Sequence, residues 1–186
     1  MVRQHVPETD WTIAELQISP TDRVLELGFG AGRGIALAAE HAYRGRVVGI
    51  DLSTAMVQAA RRRNKAAVEA GRVTLLMGDV EALPFAGEQF DKIFSIHTFY
   101  FCPEPLRIIE ELSCILRPDG MLMLTLSTGT TSPSGHRTNG PLQAILEQHV
   151  IPGLQQMGYA SASLHTGPDS RHYTHVAVVA RKRRVT

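Results

Sequence analysis

Val24-Leu25-Glu26-Leu27-Gly28-Phe29-Gly30-Ala31-Gly32 is the stretch on which the reading of the whole chain turns. Apolar residues surround Glu26, and glycine then falls on every second position. A strand that runs into a glycine turn and then a helix lets backbone come very close to a ligand, because no Cβ stands in the way. The helix that follows presents unpaired N–H groups to an anionic group such as a carboxylate or phosphate. A dinucleotide fingerprint would be G-x-G-x-x-G. Started at Gly28, its third glycine falls on position 33, which is Arg33. The spacing present is Glu26-x-Gly28-x-Gly30-x-Gly32. The plainer reading of such a turn is that it only lets a helix pack on a strand.

The remaining composition is that of an ordinary globular chain. At 186 residues, 44% hydrophobic, 20% charged and net charge +1, the chain suits one domain, residues 1–186, with a real core. Nothing in that balance calls for nucleic acid or an anionic membrane. No apolar run approaches the ~20 residues of a membrane span. Met1 to Pro7 lacks the apolar core of a secretory signal, and the expected location is cytoplasmic. Cys102 and Cys114 are the only cysteines, too few for a disulfide framework or a thiolate cluster, and no metal is expected.

Taken in order, the chain predicts a helix around 10–18, capped by Asp10, with Thr12 and Glu15 at capping-box spacing. Strand one follows at 23–27 and a helix at 33–42. A short buried strand follows at 46–51. Next come a helix at 54–69, strand three at 73–77 and strand four at about 91–96. The arginines at 61–63 with Lys65 read as a solvated helix face. Pro105 starts a helix with Leu106, Ile109, Leu112 and Leu116 as its stripe. Arg117-Pro118-Asp119-Gly120 reads as a stop and turn, and Met121 to Leu126 as strand five. Thr128 to Gly140 reads as a long loop of the kind that often serves as a lid, with His136 and Arg137 able to reach an acceptor. A helix at 141–158, bent near Pro152, precedes two strands near 160–165 and 173–180, joined by a hairpin turn at 166–169. Alternating strands and helices imply a mostly parallel sheet covered on both faces, with ligands at the carboxyl ends of its strands.

The glycine motif resembles the first motif of the class I S-adenosylmethionine-dependent methyltransferases. The segment Phe90-Asp91-Lys92-Ile93-Phe94-Ser95 and the turn Leu116-Arg117-Pro118-Asp119-Gly120 are also similar to that family. More narrowly, the chain resembles the small-molecule branch that includes the ubiquinone and menaquinone biosynthesis methyltransferases. The implied fold is Rossmann-like: α/β, three-layer and doubly wound, a mostly parallel seven-stranded sheet with the last strand antiparallel. The implied activity is transfer of the methyl group of S-adenosylmethionine to a small molecule, leaving S-adenosylhomocysteine.

Asp51 stands 23 residues after Gly28 at the end of strand two. A carboxylate there can accept from both ribose hydroxyls. The resemblance implies that Asp79, with Val80 beside it, receives the adenine amino group. It implies that Glu26 holds the turn and the cofactor's amino group, that Leu52 and Met56 pack on the adenosine, and that Gly28, Gly30, Gly32 and Ser95 complete the cofactor set. Methyl transfer from a sulfonium mainly needs alignment and exclusion of water. A base is needed only if the acceptor must lose a proton. The candidates beside the methyl follow strand four, His97, Thr98, Phe99, Tyr100 and Phe101, with His97 and Tyr100 foremost and His97 able to act as a base near neutral pH; a structural histidine is the plainer reading. Tyr100 stands where the family commonly has histidine, so no catalytic role carries over to it.

Phe99 serves equally well as core or as acceptor rim. The segment Ser95-Ile96-His97-Thr98 lacks the Pro-Pro-aromatic pattern of enzymes that methylate flipped bases. The N-terminal part is short compared with the quinone enzymes. Expected partners are a small-molecule acceptor and at most a second copy of the chain, as monomer or homodimer. Two other readings remain open. One is a sensor or partner subunit that binds S-adenosylmethionine without catalysis. The other is a nicotinamide-dependent oxidoreductase, disfavoured by Arg33.

Overall fold

Short strands of five to seven residues make the first half of the sheet: β1 (Arg23–Leu27), β2 (Arg46–Asp51) and β4 (Phe90–Ile96), which are mostly buried, and β3 (Val73–Met77), an edge strand with alternating burial. The computed structural model describes residues 6–101, 104–131, 137–169 and 173–184. Between and after these strands lie α1 (Val6–Leu16), α2 (Arg33–His41), α3 (Thr54–Arg63), α4 (Lys65–Glu69) and α5 (Pro105–Ile115). Then come β5 (Leu116–Thr131), β6 (Arg137–Asn139), α6 (Pro141–Ile145), a π-helical turn (Leu146–Val150), α7 (Ile151–Gln156), β7 (Tyr159–Thr166) and β8 (Tyr173–Lys182).

The strand order is β3-β2-β1-β4-β5-β8-β7, with β6 paired to β5 alone. The contacts β3–β2–β1–β4–β5 are parallel, and β8 runs antiparallel to both neighbours, β5 and β7. Successive side chains of a strand point to opposite faces, so one strand serves two cores. Ile93 of β4 packs with Ile109, Leu112 and Leu154 of the helices on one face. Its neighbour Phe94 packs with Leu16, Ile35 and Val57 on the other. The layers are therefore helix, sheet and helix, as expected. No helix among the described residues is long and apolar enough to cross a membrane.

Four expectations are corrected. α1 begins at Val6, so Asp10 lies inside the helix rather than capping it, and its carboxylate instead accepts from Arg33 Nη2 at 2.6 Å. The helix expected over 54–69 breaks at buried Asn64, whose Nδ2 donates to Gly32 O at 3.0 Å and Ala60 O at 2.9 Å. An Asn side chain that bonds backbone competes with the helix it sits in. Residues 117–120 do not end β5's pairing: Phe90 pairs with Leu116 and Lys92 with Met121, leaving the Arg117–Gly120 turn as a bulge. The described parts of the stretch 128–140 are not structureless, because β5 runs to Thr131 and pairs antiparallel with β6 through Gly129–Asn139, Thr130–Thr138 and Thr131–Arg137. Residues 132–136, His136 among them, lie outside the described residues, as does Cys102. The seven-stranded sheet thus carries an eighth, three-residue strand.

Asn64 ties the glycine turn to α3 by giving a second donor to two carbonyls, Gly32 O, which also accepts from the Ala36 N–H, and Ala60 O, which also accepts from the Asn64 N–H. Asn64→Ala is expected to lower the stability of the fold by about 2 kcal/mol, since two buried side-chain hydrogen bonds are lost. Urea denaturation measures this, and an unchanged midpoint would show that the tie contributes nothing.

Candidate active site

β1 and β4 are neighbours whose onward connections leave in opposite directions, which opens a crevice at the carboxyl ends of the strands. The glycine turn sits at that crevice, with all three expected glycines left-handed: φ is 66° at Gly28, 52° at Gly30 and 76° at Gly32. Their surroundings differ. A Cβ on Gly28 would collide with the Thr98 side chain. A Cβ on Gly32 would lie 2.6 Å from Ala60 Cβ of α3. A Cβ on Gly30 would meet nothing within 4 Å, because it would point into the cavity.

Two cavities meet at Gly28. The first, of about 290 Å³, is bounded by Glu26, the turn, Met56, Ile96 and His97, with Thr9 of α1 across from them. The second, of about 390 Å³, is bounded by Asp51, Leu52, Asp79, Val80, Thr98 and Phe101. Eight of the ten expected cofactor residues therefore line one or other of these two cavities. Gly32 and Ser95 do not. Gly32 packs the turn against α3, and Ser95 is buried within β4 behind the wall.

Asp51 is almost fully buried, and its carboxylate is held from two sides. Oδ2 accepts from the Gly30 N–H at 2.8 Å and Oδ1 from the Ser53 N–H at 2.9 Å. The same residue therefore shapes the glycine turn and faces the second cavity. Asp79 is exposed at the end of β3, where Oδ1 accepts from the Glu81 N–H at 2.9 Å. Leu52 is 72% exposed on the rim of the second cavity. An apolar side chain so placed gains from a flat ligand laid over it.

Glu26 lies beneath the turn, 3% exposed, and its Oε2 has no hydrogen-bond partner. Burial pushes its carboxyl well above the usual carboxylate range, the Ile35 N–H pulls it back, and the Asp51 charge raises it further. A raised folded value means that stability is full below the unfolded value near 4.5 and is lost as pH rises through the folded value. Glu26→Gln should therefore stabilise the ligand-free protein at neutral pH, with a gain that grows as pH rises above about 4.5. Thermal melts at several pH values check this, and a gain that stays constant with pH would contradict it.

Sequence reasoning missed Arg63 and Thr9 as wall residues. Arg63, read as part of a solvated face, donates through Nε to Ala31 O at 3.0 Å and lines the first cavity. Thr98 fills the space beside Gly28, and Thr9 reaches the wall from α1. Thr98 belongs to the stretch after β4 that the sequence places near the methyl, whereas Thr9 carries no chemical signal of its own and only the fold could reveal its place. His97 lines the first cavity, as expected of an acceptor-side residue. Its Nε2 lies 3.2 Å from Glu8 Oε1, and its ring centroid is 5.5 Å from that of His175. Phe99 is buried in the core, which decides its role against the acceptor rim. The side chain of Tyr100 lies outside what the structure describes.

A Rossmann-like sheet, a glycine turn after its first strand and acids at the next strand ends define the class. The chain belongs to the methyltransferase-domain family, whose model matches residues 25–124, from β1 into β5. It is a S-adenosylmethionine-dependent methyltransferase. The uncharacterized methyltransferase YdaC of Bacillus subtilis is 28% identical over 138 residues, 74% of each chain. The ubiquinone/menaquinone biosynthesis C-methyltransferase UbiE of Syntrophotalea carbinolica is 30% identical over 164 residues, 86% of this chain and 66% of that one. A SAM-dependent methyltransferase structure from Aquifex aeolicus superposes with a TM-score of 0.75 at 21% identity, covering 96% of this chain and 92% of that one.

Proposed function

We propose that this enzyme methylates a small molecule, and that the two cavities meeting at Gly28 hold S-adenosylmethionine with its methionine end in the first and its adenosine in the second. The residues fit that ligand. The first cavity offers a buried carboxyl oxygen on Glu26 with no partner, suited to an ammonium, and open room above Gly30 where backbone meets ligand. The second offers Asp51 for vicinal hydroxyls, Leu52 for a flat ring and Asp79 with Val80 at its far end. When bound, S-adenosylmethionine supplies a methyl group already activated by its sulfonium. The protein's part is to align donor and acceptor and to keep water out. Ile96, His97 and Thr9 form the wall left for the acceptor side.

The observation that carries the small-molecule reading is α1. Thr9 on that helix stands across the first cavity from the glycine turn and bounds it at about 290 Å³. That is the scale of a small-molecule pocket rather than an open groove for a polymer. The test is incubation of the full chain and labelled S-adenosylmethionine with metabolite pools, peptides and RNA in parallel. Label appearing in a metabolite supports the proposal. Label appearing only in peptide or RNA overturns it, and tight binding with no transfer to any pool would leave a protein that only senses the ligand.

A further inference from the structure

We propose that Glu8, His97 and His175 form a binding site for one divalent transition-metal ion at the acceptor end of the first cavity. The three residues come from α1, the turn after β4, and β8, and each offers one ligand atom, all lying within 4.8 Å of one another. Ligand atoms around one tetrahedral ion lie about 3.4 Å apart, so side-chain movement of roughly an ångström would close the cluster on it. Glu8 is fully buried and His175 is 2% exposed, while the His97 side chain is 14% exposed and lines the cavity. Of the three, His97 is the one that lines the cavity, and Glu8 and His175 are buried beside it. Three protein ligands with an open position is the arrangement of catalytic rather than structural metal sites.

The supporting structure holds each ligand in place. Ser127 Oγ lies 3.3 Å from His175 Nδ1, an outer contact of the kind that orients metal-binding histidines. Glu8 is fixed through its helix: Thr12 Oγ1 donates to the Glu8 carbonyl at 2.7 Å, and the Thr12 and Thr125 hydroxyls are 2.7 Å apart, tying α1 to β5. His97 adopts φ 57°, a conformation that costs energy for a residue with a Cβ, and its N–H is held by Thr125 O at 3.0 Å. Two imidazoles with one carboxylate suit zinc, iron(II), cobalt(II) or nickel(II) better than calcium or magnesium, which prefer all-oxygen shells. With neutral rings, the carboxylate leaves one positive charge on the site, which favours an acceptor bearing an ionisable hydroxyl. That last consequence rests on the methyl-transfer reading; the metal site itself does not.

The test uses the full chain, stripped with chelator and titrated with cobalt(II) alone, with no S-adenosylmethionine or acceptor present. Expected are one ion per chain and a visible absorption band, both retained in the exposed-surface control His149→Ala. His175→Ala and Glu8→Gln should each weaken uptake at least about 10-fold, as loss of a ligand or its support does. Circular dichroism and S-adenosylmethionine affinity, measured on the same samples, show whether each variant is folded and whether the cofactor site has failed separately. Absence of stoichiometric uptake by the folded wild-type chain overturns the site, as does unchanged uptake in folded His175→Ala. If a variant does not fold, X-ray absorption of the wild-type cobalt complex decides. Imidazole scattering supports the site, and a shell of water oxygens alone overturns it.

Discussion

In Gly30→Val, affinity for S-adenosylmethionine should fall at least about 100-fold, equivalent to ~3 kcal/mol. Two effects act together. Gly30 has φ 52°, which a β-branched residue strongly resists. Its missing Cβ points into the first cavity, where nothing of the protein stands within 4 Å, so any side chain would occupy ligand space. Gly30→Ala separates the two, since alanine tolerates this backbone better and still intrudes. Calorimetry on both variants, with melts to confirm folding, makes the measurement. Wild-type affinity in a folded Gly30→Val protein would mean that the turn is not where the ligand lies.

Asp51→Ala is the second large effect, a weakening of S-adenosylmethionine binding by about 2–3 kcal/mol, the scale of lost charge-assisted hydrogen bonds. The structure gives this loss two parts. The carboxylate faces the second cavity, and it also holds the Gly30 and Ser53 N–H groups, so its removal both deletes a contact and frees the turn. Asp51→Asn keeps the shape and one acceptor oxygen, and should fall between the two. An unchanged dissociation constant in folded Asp51→Ala would take Asp51 out of the site.

Much of this was legible from local pattern. β1, β2 and β3 match their expected bounds because short apolar runs between turn residues leave little choice of register. The places of Glu26, Gly28, Gly30, Asp51 and Asp79 on the cavity walls were legible because each sits at or beside a strand end, where chain order alone fixes the edge of the sheet. Where the reading failed, the deciding partner was distant in sequence. Asp10 looks like a cap until Arg33, 23 residues on, takes its carboxylate. Thr128 to Thr131 look like loop because their hydropathy is polar, yet their backbone is paired by β6 and β8. His97 was visible at the end of β4, but Glu8 lies 89 residues away and His175 comes from β8, and no spacing rule joins the three.

The position of β8 has a consequence for how the protein is made. β8 lies between β5 and β7, pairing with β5 from Met121–Arg181 to Thr130–Tyr173. Until residues 173–182 leave the ribosome, one whole edge of β5 has no hydrogen-bond partner, and the apolar run from Met121 to Leu126 borders it. Such an edge invites pairing with another nascent chain. Once β8 is in place the exposed edge passes to β7, whose Ser161, Ser163 and His165 make it polar. Synthesis therefore carries a vulnerable interval that ends only near the last residues described, and a chain cut before Tyr173 should gather in inclusion bodies.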